Sequence, residues 1–223
     1  MKKLSLIIVS GLYLFATTAF AEVGVNVGVS GTMGIFGATG QETHTGNTAA
    51  SITSSDSATE IAAVGYGSLF VEKEIGMVTV GLDYVPLPLE TETAETAKQD
   101  DRTANPAAAA KTDTTNTVQV DFENLYTLYV GLNVTENAYI KAGVTSVDVT
   151  TNENLGTGSS YGNTSLDGTM IGVGYHKDLD AMFVRFEGSY MEFDGTSLSA
   201  NDNTITLNNL DGVVGKVSIG KSF

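Results

Sequence analysis

Beyond residue 22 the chain alternates apolar and small polar residues with a period of two. Val23, Val25, Val27 and Val29, then Met33 and Ile35, are separated by Gly24, Asn26, Gly28, Ser30 and Thr32. Such alternation predicts a β-strand with one apolar and one polar face. Val78, Val80, Leu82 and Tyr84 repeat it against Thr79, Gly81 and Asp83, and Tyr126, Leu128, Val130 and Leu132 against Thr127, Tyr129, Gly131 and Asn133. Ile140, Ala142 and Val144 oppose Tyr139, Lys141, Gly143 and Thr145; Ile171, Val173 and Tyr175 oppose Met170, Gly172 and Gly174. Met182, Val184 and Phe186 oppose Arg185 and Glu187, and Val213, Val217, Ile219 and Phe223 oppose Lys216, Ser218 and Gly220. A further strand over 61–71 is ambiguous in parity. It brings the strands to eight.

The connections alternate long and short. Residues 38–60, 86–116, 150–164 and 194–208 are long, polar and rich in Thr, Asn, Ser, Asp and Ala, whereas Lys73-Glu74-Ile75-Gly76, Val134-Thr135-Glu136-Asn137 and Lys177-Asp178-Leu179-Asp180 are tight turns. A sheet with all its long loops at one end has its two ends in different surroundings. In outer-membrane barrels the turns are periplasmic and the loops extracellular. A soluble lipocalin-like barrel has the same strand number with inverted polarity. Loop asymmetry and long continuous apolar faces favour the membrane. The expected fold is therefore all-β: an eight-stranded antiparallel up-and-down transmembrane β-barrel.

The N-terminus and composition fit that expectation. Lys2 and Lys3, an apolar stretch from Leu4 to Phe15, and Ala19-Phe20-Ala21 have the form of a secretory signal peptide. The domain expectation is thus a signal peptide over 1–21 and a barrel over 22–223. The chain carries 11 Lys+Arg against 26 Asp+Glu; without Lys2 and Lys3 the balance is 9 − 26 = −17. That charge argues against nucleic acid as a partner. No Cys is present, so neither disulfides nor thiolate-bound metal hold the fold. The Ala-rich stretch over 91–110 reads as a mobile loop with a short helical turn near Ala107 to Ala110.

The last strand, Val213 to Phe223, ends in an aromatic residue with alternating apolar residues before it, and looks like the strand by which the outer-membrane assembly machinery recognises its clients. Gly174-Tyr175-His176-Lys177-Asp178-Leu179-Asp180, followed by Phe183-Val184-Arg185-Phe186-Glu187-Gly188-Ser189-Tyr190, resembles the penultimate hairpin of the OmpA-like and opacity-protein small barrels. In that family an Arg and a Glu two residues apart point inward on this strand. The resemblance implies a Gram-negative outer-membrane location, Phe223 as assembly signal, and lipopolysaccharide, outer-membrane lipid and the assembly machinery as partners. In contrast to OmpA, no peptidoglycan-binding domain is expected after the barrel, and the chain departs from the aromatic girdle pattern in having no Trp. Tyr84, Tyr126, Tyr175, Tyr190 and Phe223 are left to form the girdle.

An eight-stranded barrel is only wide enough for side chains to fill it. Parity assigns Asp83, Asp121, Glu123, Lys141, Arg185, Glu187 and Lys216 to its interior, with Glu72 as a further candidate. Charges in so narrow a lumen must pair, which predicts a polar plug; the competing reading is a narrow water path for ions or small solutes. Strand glycines such as Gly28, Gly172 and Gly174 leave room inside. The loops are acidic, but no spacing resembles a calcium loop, and neither metal nor cofactor is implied. His44 in the first loop and His176 beside a turn fall at opposite ends, so no catalytic site is expected. The functional readings are a structural or surface protein, a low-conductance porin, an adhesin-like barrel acting through its acidic loops, and an OmpW-like conduit for small apolar molecules. The inward charges speak against the last.

Overall fold

The period-two segments pair as antiparallel ladders and run further than the apolar pattern marks. The computed structural model describes residues 24–45, 53–91, 94–100, 112–154, 160–180, 182–200 and 203–223. The segment over 1–21 and the expected turn at Ala107 to Ala110 lie outside the described residues. The strands are β1 (Val25–Thr45), β2 (Thr53–Ile75), β3 (Val78–Tyr84), β4 (Leu89–Glu90), β5 (Ala94–Asp100), β6 (Thr112–Asn133), β7 (Ala138–Asn154), β8 (Thr164–Leu179), β9 (Met182–Phe193), β10 (Thr196–Ala200) and β11 (Asn203–Ser222). Eight of them form a ring in the order β1-β2-β3-β6-β7-β8-β9-β11, closed by β11 on β1. β4 and β5 continue β3 along the edge of β6, and β10 lies beside the start of β11. Phe223 completes the closure: its N–H donates to Val25 O at 2.8 Å and its carbonyl accepts from Val25 N–H at 3.2 Å.

The short turns carry the residues their geometry needs. Gly76 has φ +64° and Asp180 φ +56°, a region open to Gly and tolerated by Asp. Thr135 Oγ1 accepts from Ala138 N–H at 2.9 Å and so closes the turn between β6 and β7.

Much of the stretch expected as loop is in fact ladder. Residues 38–45 and 53–60 continue β1 and β2 as one paired hairpin, and 196–200 pair with 203–207. Hydroxyl pairs cross these rungs: Thr39 with Thr59 at 3.2 Å, Ser197 with Thr206 at 3.0 Å and Ser199 with Thr204 at 3.0 Å. Polarity on both faces signals a solvated strand as readily as a loop, and Thr favours the strand.

Ring closure fixes which way each residue points. β2 turns Ser68, Phe70 and Glu72 inward, which settles the strand whose parity the sequence leaves open. β6 then departs from strict alternation. Asn124 has φ +54°, and the β6–β7 register shifts between Glu123 and Tyr126, the signature of a β-bulge. Below the bulge Leu125, Thr127 and Tyr129 are buried; above it Val120 and Phe122 turn inward onto the apolar cluster. Asp121 and Glu123 consequently face outward, opposite Thr150 and Asp148. Their expected place in the lumen is therefore corrected: one extra residue in the strand exchanges its two faces.

Candidate functional site

The lumen is built in two layers, and the layer nearer the turns is charged. Arg185 on β9 reaches across to Glu72 on β2, with Nη1 2.5 Å from both carboxylate oxygens. Lys141 on β7 pairs with Glu187 on β9 at 3.0 Å, and Lys216 on β11 with Asp83 on β3 at 2.6 Å. None of these pairs joins neighbouring strands, so each is a brace across the lumen. Tyr129 O–H donates to Glu72 at 2.6 Å while its ring lies 3.6 Å below the Lys141 ammonium. Asn26 donates to Glu74 at 2.8 Å. The guanidinium of Arg185 stacks 4.4 Å from the fully buried Phe183 ring. Such charges are tolerable out of water only when paired and hydrogen-bonded.

Five of the seven charged residues assigned inward by parity meet here: Asp83, Lys141, Arg185, Glu187 and Lys216. Glu72 is the partner on which Arg185 and Tyr129 converge, and its place was hidden by the undecided parity of β2. Asp121 and Glu123 do not join. Asp121 instead accepts from Asn152 at 2.6 Å on the outer face. His176 stands at the turn end of this layer. Its Nδ1 accepts from Arg185 Nε at 2.9 Å, which puts the ring proton on Nε2, 2.8 Å from Asp178. His44 is far off, opposite Ser54 near the hairpin tip.

Lumen glycines make room for the rings. A Cβ on Gly28 would overlap Phe70, on Gly81 Tyr129, on Gly174 Tyr139, and on Gly220 Phe183. Each glycine admits one aromatic side chain from across a rung.

The layer nearer the long hairpins is apolar. Leu125, Val147, Leu166, Met170, Met191 and Phe193 are buried together with Val214, and Phe36 and Tyr66 pack against them. All the ring strands contribute, β3 through Val85 at its end. The signal for this layer was present in the sequence: Val147 and Val149 continue the parity of Tyr139, Lys141, Gly143 and Thr145. Outside, the same inversion runs the other way. Met33, Leu128, Ile171 and Val173 form an exposed apolar band around the charged layer, Met33 being 77% exposed. Above it Asp148, Asp167, Glu192 and Asp211 occupy the outward ladder. A closed barrel that is apolar outside and charged inside over one height, with a reversal at its rim, has hydrocarbon as its solvent there.

This is a transmembrane β-barrel of the outer-membrane type. The barrel is similar in fold to several solved outer-membrane proteins at low identity. With the outer-membrane protease OmpT of Escherichia coli the TM-score is 0.44 at 9% identity, over 93% of this chain and 99% of that one. With Neisserial surface protein A it is 0.39 at 10% identity, over 86% and 97%. With the attachment invasion locus protein Ail of Yersinia pestis it is 0.37 at 11% identity, over 88% and 99%. No family model matches the barrel's sequence, and no curated protein matches it.

Proposed function

We propose that this barrel does not conduct: its lumen is a structural plug, and its role is that of a surface protein acting through the hairpins above the membrane. The apolar layer contributed by all the ring strands carries this reading. An ion passing the Arg185–Glu72 brace would still have to cross Leu125, Met170, Met191 and Phe193 without water, a barrier akin to a dewetted gate. Planar-bilayer conductance of the refolded protein, checked by its heat-modifiable gel mobility, tests it. A silent bilayer is expected. Steady steps that change on Arg185→Ala or Lys141→Ala would establish a low-conductance porin instead.

The acidity of the upper outer ladder favours recognition as that surface role. Glu123 lies directly opposite Asp148, Glu192 opposite Asp211, and Glu90 opposite Asp121. Like charges so placed destabilise a ladder, and a cationic group bound across them would relieve that repulsion. Binding of polycation-coated surfaces that is lost on Glu123→Gln/Glu192→Gln would support it. Phe223 is proposed as the assembly signal. Phe223→Ala should lower the yield of folded barrel in cells while leaving refolding in detergent intact.

A further inference from the structure

The barrel wall is not sealed evenly. β2 and β3 pair from Ile75 opposite Val78 up to Leu69 opposite Tyr84. Above that row no backbone bond joins β2 to residues 85–91 among the described residues. The other edge of this stretch stays engaged: Val85 N–H donates to Leu125 O at 2.8 Å and Thr91 N–H to Val120 O at 2.9 Å. Val85 and Thr91, on either side of the bend at Leu87, thus turn their N–H groups to β6, and strand alternation from each of them turns the even-numbered residues towards β2. The first two even positions are Pro86 and Pro88, which have no N–H to give.

Carried upward, the β2–β3 register would set Pro86 opposite Gly67 and Pro88 opposite Gly65. Both glycines lie on the outward ladder, so no side chain covers the seam from the membrane side. Packing does not demand glycine there, because a Cβ would meet only a backbone oxygen at 3.7–3.8 Å. Behind the seam stand Tyr66 and the buried Val85, at the edge of the apolar layer. Leu69 is six residues above Ile75 (75 − 69). At a climb of about 2.5 Å per residue in a tilted strand, the seam opens roughly 15 Å above the turns in a band about 25 Å tall. That depth is the outer leaflet. Exposed Met33, opposite Gly65, and exposed Leu87 flank it.

Backbone groups facing hydrocarbon without partners cost several kcal/mol each. Gly65 and Gly67 therefore require a partner that supplies hydrogen bonds beside an apolar body. We propose that the seam is a lipid site: one acyl chain of an outer-leaflet lipid lies between β2 and Pro86-Leu87-Pro88 against Tyr66 and Val85, and two of the lipid's ester or amide carbonyls accept, one each, from the Gly65 and Gly67 N–H groups, which a strand spaces about 6.6 Å apart. The site enters through the wall and does not cross the lumen, so it stands apart from the question of conduction.

The protein has no Trp, so a single introduced indole is an unambiguous probe. In liposomes of phosphatidylcholine brominated along its acyl chains, the Tyr66→Trp protein should be quenched nearly as strongly as lipid-facing Met33→Trp. It should be quenched far more than Phe193→Trp, which sits in the same layer across the lumen. Restoring the donors with Pro86→Thr/Pro88→Thr should bring the Tyr66→Trp protein down to the Phe193→Trp level and leave Met33→Trp unchanged. Equal quenching of the two lumen probes, or no response to proline replacement, would overturn the site. So would disulfide-linked dimers of Gly65→Cys in place of quenching, since a second copy would then cover the edge. Wild-type protein with a diazirine-bearing phosphatidylcholine gives the same answer without mutation. Adducts on Tyr66 or Val85 support the seam, and adducts confined to outward residues refute it.

Discussion

The lower and upper halves of this barrel use the same strands with opposite chemistry. Nearer the turns, side chains pointing in are Glu72, Lys141, Arg185 and Glu187, and those pointing out are Leu128, Ile140 and Val173. Nearer the hairpin tips the inside is Leu125, Val147 and Phe193, and the outside is Asp148, Glu192 and Asp211. On β7 the exchange happens without any change of parity: Lys141 and Val147 point the same way. Water and hydrocarbon have traded places around a continuous wall. The lower half is a membrane barrel with a polar core, and the upper half is a water-facing barrel with an oily one. Charge pairing among packed aromatic rings holds the interior of the lower half, and apolar burial without charges holds that of the upper.

The largest effect should come from unpairing a brace. Arg185→Ala leaves Glu72 buried with a charge and Tyr129 as its remaining close donor, and should cost about 3–5 kcal/mol in urea unfolding from detergent micelles. Arg185→Leu/Glu72→Leu should recover most of that loss, because no uncompensated charge remains. If the double variant is as unstable as the single, the lower half depends on more than charge compensation.

The inversion itself can be tested on one face. Leu128→Arg places a cation on the outer ladder within the apolar band and should cost about 2–4 kcal/mol in lipid vesicles. Thr150→Arg, outward on the neighbouring strand beyond the bulge, should stay within about 0.5 kcal/mol, as an ordinary surface change. Equal costs at the two sites would remove the boundary between the halves.

That boundary explains what was legible in the sequence and what was not. Period-two alternation with Gly, Lys and Arg on one face identifies eight strands and the lower lumen because hydrocarbon enforces uniform apolarity on the other face. Above the membrane that constraint lapses. Strand and loop then look alike in Thr- and Ser-rich stretches such as 38–45 and 53–60, and the ladder shows only when strands are paired. Counting in twos through Asn124 puts Asp121 and Glu123 inward, but the bulge inserts one residue there. Glu72 is only a further candidate from sequence, and not the central acceptor it proves to be, because Ala62, Ala63, Gly65 and Gly67 give β2 no polarity contrast to count from.

The bulge is the device by which β6 joins the two halves, so straightening it should disturb the upper half alone. Asn124→Val puts a β-branched residue at φ +54°, at a cost of about 1–2 kcal/mol. It also removes the Asn124 amide from Asp148, 2.9 Å away. Hydrogen exchange should quicken at Val120 and Phe122, while the amides of Tyr129 and Gly131 keep their protection. Loss of protection along the whole of β6 would mean that the halves are one cooperative unit.

The smallest effect lies at the far end of β7, where acidification should loosen the upper half and leave the lower untouched. Glu153 accepts the Tyr161 N–H at 2.7 Å. Thr151 beside it donates to Gly162 O at 2.8 Å and, through its N–H, to Asn163 at 3.2 Å. Partial burial pushes the Glu153 carboxyl up, but hydrogen bonds from Ser160 and the Tyr161 N–H outweigh it and hold the group below its ordinary value. A depressed carboxylate contributes stability that is present above its unfolded pKa of about 4.3 and is lost as pH falls through the lower folded value. Protection of the Tyr161 amide should therefore persist at neutral pH and fade below about pH 4, with Glu153→Gln abolishing the pH dependence. The braces lie far below in the lumen, so the β9 amides around Arg185 should keep their protection over the same range. If they weaken in step with Tyr161, acid is acting on the barrel as a whole and not on the pinned end of β7.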